Sequence, residues 1–130
     1  MLKTAISITL ALAPTAAIAQ AQDDLWPKYG KQLSAEGISE PMLRAAMLWT
    51  EGQYHIGVCR KFVKKADLSF WRNWWKDTPI ERSTMGAQIL QAGNEGYDEG
   101  IRDAKQRNFT AVQCQRLLDR WLADLKATLP

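Results

Sequence analysis

Histidine and cysteine are scarce in this chain, which contains one histidine and two cysteines among 130 residues. A single histidine excludes most metal sites that are built from several imidazoles. The cysteines form no C-x-x-C pair, which argues against thiol redox catalysis. The chain also lacks the G-x-S-x-G, H-E-x-x-H, phosphate-loop and dinucleotide fingerprints. We therefore predict a non-enzymatic protein that has no catalytic residues and needs neither a metal nor a cofactor.

Strand patterns are also rare, because β-branched residues seldom alternate with polar ones, and helical periodicity dominates the chain. Hydrophobic residues make up 46% of the chain and charged residues 24%, which indicates a single globular domain. The formal net charge of +3 is too small to indicate nucleic-acid binding. These features predict an all-α domain that does not bind nucleic acid.

The long hydrophobic stretch of the sequence lies at its amino terminus. Lys3 precedes an apolar run over residues 4–13, and small residues then predict signal-peptide cleavage after Ala19 or Ala21. The stretch is shorter than the roughly 20 apolar residues that span a bilayer. We expect residues 1–19 to be a cleaved secretory signal peptide and the mature protein to be exported to the periplasm.

Export would favour a disulfide between the two cysteines, because the periplasm is an oxidising compartment. Cys59 and Cys114 permit one intramolecular pairing. Such a crosslink closes a long loop and stabilises the folded state by roughly 4 kcal/mol in the chain-entropy model. We predict one disulfide that joins the first long helix to the last.

Helix-capping signals divide the chain into three long helices and one short, Trp-rich helix. Ser39 can cap the first long helix, and capping boxes that begin at Thr78 and Thr110 predict the starts of the other two. We expect residues 20–39 to be irregular and residues 40–130 to form a small helical bundle. The predicted helices cover residues 40–65, 67–76, 79–107 and 111–128.

Glycines recur in the predicted helix over residues 79–107. Heptad spacing keeps a small-residue groove on one side of a helix. Close packing of the first long helix explains the groove, and the alternative is a groove that receives a ligand or a partner helix. The groove comprises Gly86, Gly93, Gly96, Tyr97 and Gly100. Apolar periodicity predicts the inward face of this helix, which comprises Ile80, Thr84, Ala87, Leu90, Asn94, Tyr97, Ile101 and Ala104.

Basic and aromatic side chains are concentrated in residues 60–76, whereas residues 95–103 are acidic. One explanation is that the charged side chains form solvated faces while the core buries two of the three clustered tryptophans, Trp71, Trp74 and Trp75. The alternative is a binding surface, because Trp and Arg are over-represented in binding hot spots. A basic and aromatic patch also suits an anionic membrane surface. The candidate interaction surface comprises Arg60, Lys64, Trp71, Arg72, Trp74, Trp75 and Lys76.

Glu51, His55 and Cys59 are spaced by four residues and therefore share one face of a predicted helix. A carboxylate, an imidazole and a thiol are the groups of nucleophilic catalysis, so a hydrolase that uses His55 is the enzymatic alternative. A disulfide at Cys59 would remove the thiolate. We therefore interpret Glu51 and His55 as an exposed helical ion pair.

Two short segments resemble known families. Residues 96–104 read G-Y-D-E-G-I-R-D-A and resemble the G-Y-x-x-G-[VI]-x-D-A motif of the Tai and Rap immunity proteins of type VI secretion. Residues 59–63 read C-R-K-F-V and resemble the C-x-x-F-[LV] segment of HdeA-type acid-stress chaperones, which are small, exported and helical. The whole chain resembles small exported helical proteins of uncharacterised function from alphaproteobacteria.

These features favour a non-enzymatic periplasmic protein that binds another protein or serves as an accessory subunit. The first resemblance implies an immunity protein that blocks a secreted cell-wall enzyme. The second implies an acid-stress chaperone with one disulfide. Both are kept as alternatives to the general binding function.

Overall fold

The computed structural model describes the backbone of residues 14–129 and the side chains of residues 25–129. This part of the chain is helical and contains no strand, which confirms the predicted all-α fold. None of its helices is long and apolar enough to cross a membrane. The helices are α1 (Pro14–Ala35), α2 (Glu40–Val58), α3 (Lys65–Arg72), α4 (Gly86–Ala104) and α5 (Ala111–Thr128), and two 3-10 turns cover Arg60–Phe62 and Pro79–Arg82.

The amino-terminal segment forms a helix, so the prediction that residues 20–39 are irregular is wrong for most of their length. α1 continues through this segment although Pro27 lies inside it. Leu25, Tyr29 and Leu33 are spaced by four residues, and this apolar stripe packs against the core. Burial of the stripe stabilises a helix that the proline alone would disfavour.

The predicted signal peptide lies largely outside the described residues. Its apolar run over residues 4–13 precedes the first described position. Both predicted cleavage positions, after Ala19 and after Ala21, fall within α1 and ahead of the first described side chain. Cleavage and export therefore stay predictions.

Two predicted helix starts are confirmed by their caps. The Ser39 hydroxyl accepts a hydrogen bond from the backbone N–H of Met42 at 3.2 Å and begins α2. At the start of α5, Thr110 and Gln113 form a reciprocal capping box with N···O distances of 3.1 Å and 2.9 Å. Each cap satisfies backbone donors that the first helical turn leaves unpaired.

The third predicted start is wrong, because the chain after Thr78 forms a 3-10 turn and α4 begins only at Gly86. The Thr78 hydroxyl donates to the carbonyl oxygen of Trp75 at 2.6 Å and does not cap a helix. The Glu81 carboxylate accepts from the N–H of Asp77, whose φ of 67° lies in the left-handed region. These groups therefore stabilise the connection between α3 and α4.

The predicted disulfide is present and joins the end of α2 to the first turn of α5. The Cα atoms of Cys59 and Cys114 are 5.6 Å apart, and the crosslink spans 55 positions of the chain. Both cysteines are buried. α2 ends just before the crosslink, at Val58 instead of the predicted Lys65, and the chain then turns through Arg60–Phe62.

α2 is the central helix of the bundle, and it packs against α1, α5 and, most extensively, α4. Apolar residues of α2 enter three clusters, because Trp49 packs with α1, Ile56 with α5 and Val58 with the disulfide. A helix that is buried on most sides is a core helix rather than an amphipathic surface helix. The buried residues of α2 are Leu43, Ala45, Ala46, Trp49, Thr50, Gly52, Gln53, Ile56, Gly57 and Val58.

The contact between α2 and α4 depends on glycine. A Cβ atom on Gly57 would collide with the carbonyl oxygen of Tyr97, and one on Gly100 would collide with the carbonyl oxygen of Tyr54. The absence of both side chains allows the two backbones to approach each other directly. The glycine groove of α4 is therefore occupied by α2 at Gly93, Gly96 and Gly100, whereas Gly86 lies against the Pro79–Arg82 turn.

This packing corrects the predicted inward face of α4. Ala87 and Asn94 belong to the predicted face but are exposed to solvent. Gly93 instead lies against the indole ring of Trp49. Leu90, Tyr97 and Ala104 of the predicted face do pack against the core, but glycine contributes little to a hydrophobic pattern, so apolar periodicity misses the side of the helix that faces α2. The buried residues of α4 are Gly86, Ile89, Gly93 and Gly100.

A pair of substitutions on α4 tests the close approach of the two helices. Gly100→Ala places a methyl group against the α2 backbone, so we expect the free energy of unfolding to fall by about 1–3 kcal/mol. Gly96→Ala is the matched control, because the nearest atom to its Cβ would be the Thr50 carbonyl oxygen at 3.4 Å. We expect this control to gain up to about 1 kcal/mol from the helix propensity of alanine. Urea denaturation measures both, and equal stability of the two variants would contradict the close approach.

Candidate functional site

A groove runs between α5 and the segment that contains the Arg60–Phe62 turn and α3. Its volume is about 550 Å³, which lies within the range of protein binding sites for small ligands and side chains. We call it the aromatic groove. Its apolar wall consists of Phe62, Val63, Trp71, Leu118, Trp121 and Leu122, and its charged rim of Lys64, Asp67, Asp119 and Lys126.

The floor of the aromatic groove is held by Trp121. Its indole Nε1 donates to the carbonyl oxygen of Leu48 in α2 at 2.8 Å. Gly52 of α2 lies under the same indole, where a Cβ atom would collide with the ring. The ring of Trp71 meets Trp121 edge to face, with centroids 5.3 Å apart. The two tryptophans therefore form a fixed aromatic surface between α3 and α5.

Exposed apolar side chains surround this groove. Among the described residues, the exposed large apolar side chains are Phe62, Phe70 and Val112, with exposed fractions of 40%, 60% and 58%. Phe62 lines the groove, and the Phe70 ring contacts the Trp71 ring with centroids 4.8 Å apart. Val112 lies two helical turns before Asp119 and so shares its face of α5. One of these three side chains thus lines the groove, and the other two neighbour residues that line it.

Arg72 belongs to a partly buried polar network rather than to the predicted interaction surface. Its guanidinium donates to Gln53 Oε1 at 2.8 Å and to Asn94 Oδ1 at 2.9 Å. It also lies over the Tyr97 ring, 4.0 Å from the centroid. Burial lowers the pKa of Arg72, and the charge of Asp98 acts against this shift. Arg72 therefore ties the end of α3 to α2 and α4.

The other residues of the predicted interaction surface do not share one face. Lys64 and Trp71 line the aromatic groove, as predicted for a binding surface. Trp74 and Trp75 are half-buried and pack against the core, and the Lys76 ammonium lies 5.9 Å from the centroid of the Trp75 ring. Arg60 lines a different concavity. The three clustered tryptophans are each half-buried, so none is a fully buried core residue.

Several groove residues were missed by sequence reasoning. Phe62 was assigned to the first long helix, although it lies in the turn after α2. Leu118 and Leu122 share the apolar stripe of α5 with core residues, so periodicity alone could not separate them. The signal that could have identified them is that the stripe of α5 is wider than one neighbouring helix can cover.

Glu51 and His55 are brought together, with 3.8 Å between Oε1 and Nε2. Their side chains are only 10% and 15% exposed, so the prediction of an exposed pair is wrong. His55 Nδ1 is buried and has no hydrogen-bond partner among the described residues. The third member, Cys59, holds its sulfur in the disulfide and offers no thiolate. No group of three metal-binding side chains occurs within residues 25–129.

A second polar link between α2 and α4 involves Tyr54, whose hydroxyl donates to Asp103 Oδ2 at 2.6 Å. Burial raises the pKa of Tyr54 to about 12, and the hydrogen bond to Asp103 acts in the same direction. The protonated phenol is therefore the form that the fold stabilises. This bond lies one turn from the glycine contact at Gly57.

Exchange of Arg72 for lysine tests this polar network. Lysine keeps the positive charge, but its ammonium group lacks the planar shape that lets the guanidinium stack on the Tyr97 ring and donate to both amide oxygens at once. We expect Arg72→Lys to lower the free energy of unfolding by about 1–3 kcal/mol. Arg82→Lys, at an exposed position, should change it by less than about 0.5 kcal/mol. Equal effects of the two exchanges in urea denaturation would show that the network does not stabilise the fold.

The raised pKa of Tyr54 predicts a loss of stability at high pH. Because the folded-state pKa exceeds the ordinary value of 10.0, the stabilisation is fully present below pH 10.0 and is lost as the pH rises through about 12. Tyr54→Phe removes this contribution, so its melting temperature should fall less steeply over that interval. Tyr29→Phe is the control, since the Tyr29 hydroxyl has no partner among the described residues. Parallel melting curves for wild type and Tyr54→Phe would refute the assignment.

Comparison with known proteins does not assign a function to this site. No family model matches the chain, and neither a curated protein nor a solved structure matches it. The resemblances to immunity proteins and to acid-stress chaperones therefore stay predictions.

Proposed function

We propose that the protein is a non-enzymatic binding protein of the periplasm, and that its partner is another protein whose apolar side chains enter the aromatic groove. The observation that carries this proposal is the concentration of exposed apolar side chains around one groove. Phe62 lines the groove, the Phe70 ring contacts the Trp71 ring of its wall, and Val112 follows the lining residue Ala111 in the chain. Clustered exposure of this kind is typical of an interaction site, whereas scattered apolar residues are not.

The composition of the groove fits a protein interface. Protein interfaces combine an apolar, aromatic centre with a polar rim, and tryptophan is enriched among their hot spots. Here Trp71 and Trp121 form the centre, and charged side chains form the rim. The rim shields the aromatic centre from water once a partner is bound.

The charges of the rim favour a protein over an anionic membrane. Two lysines, Lys64 and Lys126, are balanced by two aspartates, Asp67 and Asp119. Anionic headgroups would be repelled by the aspartates as strongly as they are attracted by the lysines. A protein surface that carries charges of both signs can pair with all four. The mixed rim therefore supports a protein partner of complementary charge pattern.

Site-specific crosslinking identifies the partner. A photoreactive phenylalanine analogue in place of Phe62 lies at the groove, and the same residue in place of Ala92 on α4 is the exposed control. We expect a discrete adduct with one protein from the first position and none from the second. Adducts from both positions, or from neither, would contradict a partner in the groove.

A charge placed in the groove tests how much binding depends on it. Phe62→Asp should weaken a partner identified by crosslinking about 30-fold, which corresponds to a hot-spot contribution of about 2 kcal/mol. Phe62 is 40% exposed, so the fold should tolerate the change. Ala92→Asp provides the matched control and should bind like the wild type. Isothermal titration calorimetry measures both affinities, and an unaltered affinity of Phe62→Asp would refute the proposed site.

A further inference from the structure

A second concavity begins at the same turn, between the end of α2 and the loop that joins α4 to α5. Its volume is about 300 Å³. Arg60 and Lys61 line it, whereas Phe62, the next residue, lines the aromatic groove. We call it the basic cavity. Its floor consists of Val58, Ile101, Ala104 and Phe109, and its rim of Arg60, Lys61, Arg107 and Asn108.

Every charged residue that lines the basic cavity is a cation. Within the described part of the chain, neither Arg60 nor Arg107 forms an ion pair. The Lys61 ammonium lies 5.0 Å from the centroid of the Phe62 ring and has no carboxylate partner there either. Asp103, one turn before Arg107, accepts the hydrogen bond of Tyr54 described above. The Asp103 carboxylate does not line the cavity, so the lining itself combines three cations with an apolar floor, which favours anions.

The walls of the basic cavity are held by the most constrained part of the fold. Gly57, which lines the cavity, packs against the backbone of Gly100. Arg60 follows Cys59 directly, and the disulfide fixes that residue to α5. The backbone of the cavity wall is therefore fixed before a ligand binds, which lowers the entropic cost of binding.

We propose that the basic cavity binds a small organic anion, namely a carboxylate or phosphate monoester that carries a compact apolar group. The anion pairs with the guanidinium groups of Arg60 and Arg107 through charge-assisted hydrogen bonds. The apolar group covers Ile101 and Phe109. Inorganic anions leave this floor uncovered, and neutral apolar molecules leave the cations unpaired. A volume of about 300 Å³ is at the lower end for ligand sites, which restricts the apolar group to a few carbons.

Titration of the mature protein with defined probes tests this assignment. Phenyl phosphate and hexanoate carry both required groups, inorganic phosphate and acetate carry the anion alone, and hexanol carries the apolar chain alone. We expect saturable binding of phenyl phosphate and hexanoate, and affinities at least about tenfold lower for the three partial probes. Shifts of backbone amide resonances around Ile101 and Phe109 measure binding and place it. Absence of saturable binding by both complete probes up to about 10 mM would overturn the proposal.

Charge removal at the rim separates specific binding from general attraction to a basic protein. Arg60→Gln and Arg107→Gln should each weaken phenyl phosphate at least about fivefold, because each removes a charge-assisted hydrogen bond. Arg116→Gln is the matched control, since Arg116 is exposed on α5 and does not line the cavity. All three positions are exposed, so the fold should be retained. Equal effects of the three variants would overturn the proposal.

Two sources share this ligand chemistry, a free small molecule and the headgroup of an anionic lipid. Vesicles that contain phosphatidylglycerol distinguish them in competition with phenyl phosphate. If the vesicles displace phenyl phosphate from the wild type, and Arg60→Gln and Arg107→Gln abolish binding to the vesicles, the ligand is a lipid headgroup. If the vesicles do not displace phenyl phosphate, the ligand is a free molecule. Phe62→Ala removes the groove side chain without placing a charge beside Lys61, so phenyl phosphate should bind this variant nearly as it binds the wild type, even where the proposed protein partner binds weakly.

Discussion

The fold depends on the direct contact between the backbones of α2 and α4 at Gly57 and Gly100. Because no side chain separates the helices there, α2 lies deep in the bundle and is buried on most of its surface. Its large side chains then point to either side of the contact, with Trp49 in one cluster and Ile56 in another. A Cβ atom at Gly100 would therefore disturb the packing of α2 as a whole.

The glycine contact and the disulfide act on the same end of α2. Gly57 fixes that end against α4, and Cys59 fixes it to α5. A crosslink over 55 positions stabilises by roughly 4 kcal/mol in the chain-entropy model, a large share of the 5–15 kcal/mol typical of a domain. The Arg60–Phe62 turn leaves this fixed point and separates the aromatic groove from the basic cavity. Both sites are therefore built on the best-anchored part of the chain.

The features that follow from local chemistry were predictable from the sequence. Ser39 and Thr110 cap helices through bonds that span three residues, so their neighbours alone decide the outcome. The capping prediction is wrong at Thr78, because its hydroxyl donates to the carbonyl oxygen of Trp75 in the preceding turn instead of accepting from the helix. Arg72 was read as a surface cation because its partners, Gln53 and Asn94, lie on other helices. The long-range contacts that decide the site were thus the part that no local pattern could predict.

The anchoring of α3 explains how a small domain keeps a groove open. Carbonyl groups in the last turn of a helix have no partner within it, and Trp71 carries one of them. Two donors of α2 satisfy this oxygen, Trp49 Nε1 at 2.7 Å and Gln53 Nε2 at 3.4 Å. At the other end of α3 the N-cap residue, Lys64, makes no side-chain cap, and no residue of α3 is fully buried. α3 is therefore held by these hydrogen bonds at its carboxyl end and by the partial burial of Leu68 and Trp71. That arrangement keeps its aromatic side chains beside α5 while leaving the apolar wall open to a partner.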